Sequence, residues 1–273
     1  MHPPRSIIAT AFGERIGEVH RGKDRLLVTT ATASDLTVPL LGARHHFLLR
    51  RLHSLTGILF GGYIVIHLLV NATLAEGSRT QGEPTVFQQQ VDKIHSLPFL
   101  LLIEWIFIYL PIIYHTIYGI WITLTGQPNV DRYPYAKNWA YVGQRISAII
   151  LAAFILFHVL SMKGFLGSAL AFDPTQATQS AVNHFHAHWW IGYVIYPIGI
   201  LAATYHLANG FWTAAITWGL TISAKAQQRW GMVCAGIFVL TFLSATTALV
   251  AALHQSPSSD LSTPQPMTMQ AAH

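Results

Sequence analysis

The chain has 273 residues, of which 52% are hydrophobic and only 10% charged, against roughly 25% charged in an ordinary soluble domain. That composition excludes a water-facing globule, and the formal net charge of +5 reflects scarce acids, 11 in all, which argues against a nucleic-acid surface. A single Cys, Cys234, excludes a disulfide framework, a Cys-ligated metal centre and covalently attached c-type haem, and leaves 15 His as the unusual feature of so apolar a chain.

Residues 1–43 are mixed and polar without the apolar run of a signal peptide, and are expected to form a cytoplasmic extension. Uncharged stretches then cover 52–75, 105–130, 146–162, 174–224 and 230–259. A helix needs about 20 apolar residues to cross a bilayer. The second stretch begins earlier, near Ser96-Leu97-Pro98, which places Glu104 inside a span, and the fourth opens with a polar piece, so it spans only from about Trp189. Five membrane helices are predicted: 47–74, 97–125, 141–165, 189–219 and 230–253. Period-two alternation is missing, which argues against a spanning barrel. The expected fold is an all-α integral membrane bundle over residues 44–253, followed by a disordered tail, 254–273, rich in Ser, Pro, Thr and Gln.

Lys and Arg orient the bundle. Eight lie in the segment ending at Arg51, and Arg132, Lys137, Arg145, Lys225 and Arg229 share its compartment, against Arg79, Lys93 and Lys163 on the other side. Thirteen against three puts the N-terminus in the cytoplasm and the C-terminus outside a cell membrane.

Four spans each contain one deep histidine: His67, His115, His158 and His206. Ionisable side chains at such depth are costly and rarely face lipid. His67 lies sixteen residues beyond Arg51, roughly 24 Å along a helix, in the outer half. His158 precedes Lys163 by five residues and matches that depth. His115 and His206, on helices running inward, lie seventeen residues past Pro98 and eighteen past His188, in the inner half. An outer pair, His67 with His158, and an inner pair, His115 with His206, form the geometry for two haems held by axial imidazoles between facing helices. With both axial positions filled, electron transfer is the natural role. Gly119 and Gly210, each one turn after an inner histidine, leave room for a porphyrin or serve ordinary helix packing.

The runs around these histidines carry a resemblance. Arg50-Arg51-Leu52-His53-Ser54-Leu55, Ser96-Leu97-Pro98-Phe99, Leu110-Pro111-Ile112-Ile113-Tyr114-His115, Asn138-Trp139, Gln144-Arg145, His206-Leu207-Ala208-Asn209-Gly210-Phe211-Trp212 and Thr217-Trp218-Gly219 resemble the cytochrome b anchors of B-type succinate:menaquinone oxidoreductases, the five-helix, two-haem subunits related to those of quinol:fumarate reductases. The resemblance covers about residues 44–253. It implies haem b on the same two pairs, the outer on His67 and His158 and the inner on His115 and His206. It further implies a flavoprotein and an iron–sulfur protein docked at the cytoplasmic face, and menaquinone as electron acceptor. His53 and Ser54 match positions beside the inner haem propionates, and Arg50 and Arg51 add charge there or act as positive-inside anchors. Thr204 stands where some fumarate reductase anchors carry a Glu used for transmembrane proton transfer, which makes such a path doubtful here.

Glu104, an acid inside a span, is a functional candidate in its own right. It precedes His115 by eleven residues, close to three turns, on the same face and roughly 16 Å nearer the outside. With Asp92 and His95 on the preceding loop it is the candidate menaquinone site; the alternative is a structural partner of Arg or His. His184, His186 and His188 are expected to form an exposed interfacial cluster beside the aromatic belt of Trp189 and Trp190. The competing functions are a fumarate reductase anchor, another di-haem b anchor serving a hydrogenase or formate dehydrogenase, and a histidine-lined metal transporter, which would need ligands converging at one depth.

Overall fold

The computed structural model describes residues 33–258. Residues 1–32 and 259–273, which hold most of the expected N-terminal extension and tail, lie outside the described residues. By internal contacts the chain divides after Leu49 into two units, and every site residue discussed below belongs to the second, which begins at Arg50.

All regular structure among the described residues is helical. Five helices are long and apolar enough to cross a membrane: α1 (Ala33–Ala72), α3 (Leu100–Thr125), α4 (Ala136–Met162), α6 (Ile191–Thr217) and α7 (Ala224–His254). Two short helices lie in the connections, α2 (Val86–His95) and α5 (Ala177–His186). The five spans match the sequence expectation; the two short helices were expected as loop.

Observed span boundaries reach into charged sequence. α7 starts at Ala224 instead of 230 because the Ser223 hydroxyl accepts a hydrogen bond from the Ala226 N–H and caps the helix. Lys225 and Arg229 thus occupy its first turns, where long cationic side chains extend to the interface. Hydroxyls inside the spans are satisfied within their own helix: Thr204 donates to the Ile200 carbonyl at 2.8 Å, Thr241 to Ile237 at 2.7 Å and Ser244 to Leu240 at 2.8 Å. Each would be expensive in hydrocarbon without that bond.

The connections gather at two ends. At the basic end, Lys137 donates to the Gln227 side chain, Trp212 to the Gln227 carbonyl and Arg145 to the Ile122 carbonyl, tying α4, α6, α7 and α3 together. At the capped end, α2 and α5 bury one face each. Leu74, Phe87, Val91, Ala177, Ala181 and Ala252 form one core there, and Gln88 clamps the two connections by donating to the Pro174 carbonyl and accepting from the Ala177 N–H. A second core of Leu170, Ile191, Tyr196, Ile200, Ala245 and Leu249 lies beneath it.

Two spans contain a wide π turn, Trp105–Tyr109 in α3 and Ile191–Ile195 in α6. Each is closed by a bond five residues long, from the Leu110 N–H to the Trp105 carbonyl and from the Tyr196 N–H to the Ile191 carbonyl. The next residue in both cases is proline, Pro111 or Pro197. Proline has no N–H to donate, and its ring crowds the carbonyl four residues back. Widening the preceding turn relieves that crowding while the helix continues.

Candidate functional site

The four deep histidines meet in the two expected pairs. His67 of α1 and His158 of α4 have ring centroids 6.1 Å apart and planes crossed at 77°. His115 of α3 and His206 of α6 stand 6.2 Å apart with planes crossed at 90°. A metal–imidazole bond of roughly 2.0–2.1 Å and about 1.1 Å from nitrogen to ring centre, taken on both sides, put two collinear axial rings about 6.3 Å apart. Each pair is therefore spaced for one metal between two rings.

The hydrogen bonds of these rings run through Nδ1. His115 Nδ1 donates to the His53 carbonyl at 3.0 Å. His206 Nδ1 lies 3.3 Å from both the Gln144 carbonyl and the Ser147 hydroxyl. His158 Nδ1 lies 2.9 Å from the Tyr196 hydroxyl, and His67 Nδ1 lies 3.4 Å from that of Tyr63. Holding the proton on Nδ1 leaves the Nε2 lone pair for a metal, the usual arrangement in which the second nitrogen fixes tautomer and orientation. Among the described residues no three His, Cys, Asp or Glu converge on one metal position. The residues present fit a group that carries its own equatorial ligands and needs two axial ones.

Around the inner pair, His53 stacks on His115 at 4.0 Å with an 11° tilt, and its own Nδ1 is buried without a hydrogen-bond partner. Close packing here depends on Gly57, where a Cβ would stand 2.6 Å from the His115 ring. The space beside Gly119 is taken by the His53 ring and that beside Gly210 by the Gln144 amide. The Ser54 hydroxyl accepts from Trp218 Nε1 at 3.0 Å, the Arg51 guanidinium lies over the Trp218 ring at 4.9 Å, and Arg50 is exposed.

Around the outer pair, Glu104 is half-buried and within electrostatic reach of Tyr63, the residue that touches His67. The same-face relation between Glu104 and His115 does not hold, because the π turn between them adds a residue and swings Glu104 away by roughly 100°. Asp92 and His95 are exposed on α2 rather than on a loop. Asp92 accepts from Gln88 and His95 Nδ1 donates to the Val91 carbonyl, so both bond within their own helix.

The expected exposed cluster of three histidines needs correction. His184 is fully buried, at 0% exposure, because α5 is an amphipathic helix that turns it into the capped end. Its Nδ1 donates to the Leu170 carbonyl at 2.9 Å and its Nε2 lies 2.9 Å from the Tyr196 hydroxyl. Burial holds its pKa below the ordinary histidine value, partly offset by the bond to Leu170. His186 Nε2 donates to the Ala252 carbonyl, and His188 stacks on Trp190. Tyr196, Tyr63 and Ser147 escaped the sequence reading, and Gln144 entered it only as part of a resembling run; uncharged polar residues in a span carry no signal beyond their helical spacing from a histidine.

Residues 128–244 match the family described as "Succinate dehydrogenase/Fumarate reductase transmembrane subunit". Over 202 residues, 73% of this chain and 93% of the relative, the sequence is 33% identical to a succinate dehydrogenase cytochrome b558 subunit from Bacillus subtilis (strain 168).

Proposed function

Because the chain belongs to the family of succinate dehydrogenase/fumarate reductase transmembrane subunits, we propose that it is the di-haem cytochrome b anchor through which electrons from succinate reach menaquinone. The observation that carries this reading is the pair of crossed imidazole couples, 6.1 and 6.2 Å apart, at two levels of one bundle. His115 and His206 would hold the inner haem b, His67 and His158 the outer. The bound groups would supply one-electron redox chemistry.

The chain's own residues set the conditions for that chemistry. The Nδ1 bonds hold each ring in place, and the unpartnered Nδ1 of His53 suits a propionate oxygen. Arg50, Arg51 and Ser54 lie on the same stretch of α1 as further propionate or headgroup contacts. The basic end would face the cytoplasm and seat the flavoprotein and iron–sulfur partners, on the charge asymmetry of the sequence. Glu104, half-buried and within electrostatic reach of Tyr63, is the leading acid for a quinone site; Asp92 and His95 are weaker candidates because they face solvent. The cytochrome b558 relative carries the name of a succinate dehydrogenase, which favours succinate oxidation. The buried Thr204, its hydroxyl bound to Ile200, offers no carboxylate for a compensating proton path.

Haem extraction from the purified complex, with reduced-minus-oxidised spectra, tests this directly. Two b haems per chain are expected. His115→Ala should lower that to one while keeping the outer haem's spectrum, and His67→Ala should do the converse. A wild-type complex without haem would leave the transporter reading in its place.

A further inference from the structure

The strongest unassigned feature lies beyond His158, where three elements meet in one hydrogen-bonded line. Its direction follows from its end. The Leu170 carbonyl can only accept, so the His184 Nδ1 at 2.9 Å carries a proton. His184 is fully buried and Phe185 and Tyr196 pack against its ring, a setting that favours the neutral imidazole. Neutral with its proton on Nδ1, it has an acceptor at Nε2, and the Tyr196 hydroxyl 2.9 Å away donates to it. That spends the one phenolic proton, so the Tyr196 oxygen accepts from His158 Nδ1, also at 2.9 Å. The line therefore ends with a proton on His158 Nδ1 and a lone pair on its Nε2.

We propose that Tyr196 and His184 are positioning residues that fix the tautomer of His158 and strengthen it as a donor to the outer haem iron, so that the short cap helix α5 sets the potential of that haem. This rests on the di-haem reading given above. Hydrogen bonds in series polarise one another, and a ligating imidazole that donates through its second nitrogen is the more basic ligand. A more basic ligand favours ferric iron and lowers the potential. The other three rings have different surroundings: His67 has one long contact of 3.4 Å, His115 bonds to a carbonyl, and His206 contacts the Gln144 carbonyl and the Ser147 hydroxyl, which donates to that same carbonyl within α4. Tyr196 is itself held by the π turn that ends at it and by edge-on packing against Phe154 and Phe185, so the acceptor is rigid.

The test is a redox titration of the whole detergent-solubilised complex, resolving the two haems by their spectra, for wild type, Tyr196→Phe and His184→Leu. Tyr196→Phe keeps the aromatic packing and removes the acceptor. The outer haem's midpoint should move positive, with a smaller move in the same direction for His184→Leu, while the inner haem stays at its wild-type value. Should Tyr196→Phe fail to assemble, His184→Leu carries the test alone. An outer midpoint unchanged in the variants that assemble, or equal shifts at both haems, overturns the inference. A wild-type complex with fewer than two haems overturns the di-haem reading itself, which separates the two failures.

Discussion

His53 is the residue whose surroundings ask most for a missing partner. Its carbonyl accepts from His115 and its ring stacks on the same side chain, yet its Nδ1 is buried and unpaired. Such an atom costs about 1–3 kcal/mol when left unsatisfied. A phenyl ring at this position keeps an aromatic stack on His115 and the backbone carbonyl it bonds to, and removes both ring nitrogens. His53→Phe should therefore leave two haems bound and shift the inner haem's midpoint negative, because the propionate loses a donor that screens its charge from the iron; redox titration with an unmoved inner midpoint would refute the propionate role. The four deep histidines were legible because an ionisable group in an apolar run is conspicuous and helical rise converts residue number into depth. His184 was not, because the alternating spacing of His184, His186 and His188 reads the same in an exposed loop as in a helix whose burial depends on the rest of the capped end.

At the scale of elements, the two π turns change the angular position of the side chains on either side of them. Pro111 and Pro197 are visible in the sequence, but a proline inside a helix bends it, breaks it or widens the turn before it, and packing chooses among these. In α3 the wide turn separates Glu104 from His115 in angle while leaving Glu104 within electrostatic reach of Tyr63. Replacing Pro111 with Ala restores an N–H and lets the segment return to regular α geometry, which turns Glu104 by roughly 100° relative to His115. Pro111→Ala should then raise the KM for a menaquinone analogue several-fold with two haems retained, in the same direction as Glu104→Gln, and the double variant should be no worse than the worse single one. Steady-state quinone kinetics at wild-type values in Pro111→Ala would show that the turn has no part in placing the acid. Additive losses would place Glu104 and the turn in separate roles.

For the whole molecule, the five-span architecture and the pairing of helices around two levels were written in hydropathy and histidine depth, whereas the cap formed by α2 and α5 was hidden in stretches too polar and too short to announce packing. Orientation decides the meaning of both levels. On the proposed orientation, with the compartment of thirteen cations against three taken as the cytoplasm, the His115–His206 pair would stand nearest the cytoplasm, where soluble partners would deliver electrons, and the cap would lie outside. Single cysteines can test this, because the native Cys234 is buried and contributes little background to surface labelling. Ser78, in the exposed turn between α1 and α2, and Asn129, in the exposed connection between α3 and α4, lie in opposite compartments. A membrane-impermeant maleimide should label Ser78→Cys in intact spheroplasts and reach Asn129→Cys only after lysis. The reverse pattern would turn the bundle over, set the His67–His158 pair beside the cytoplasm, and require the flavoprotein and iron–sulfur partners to dock on α2 and α5 instead of on the basic end.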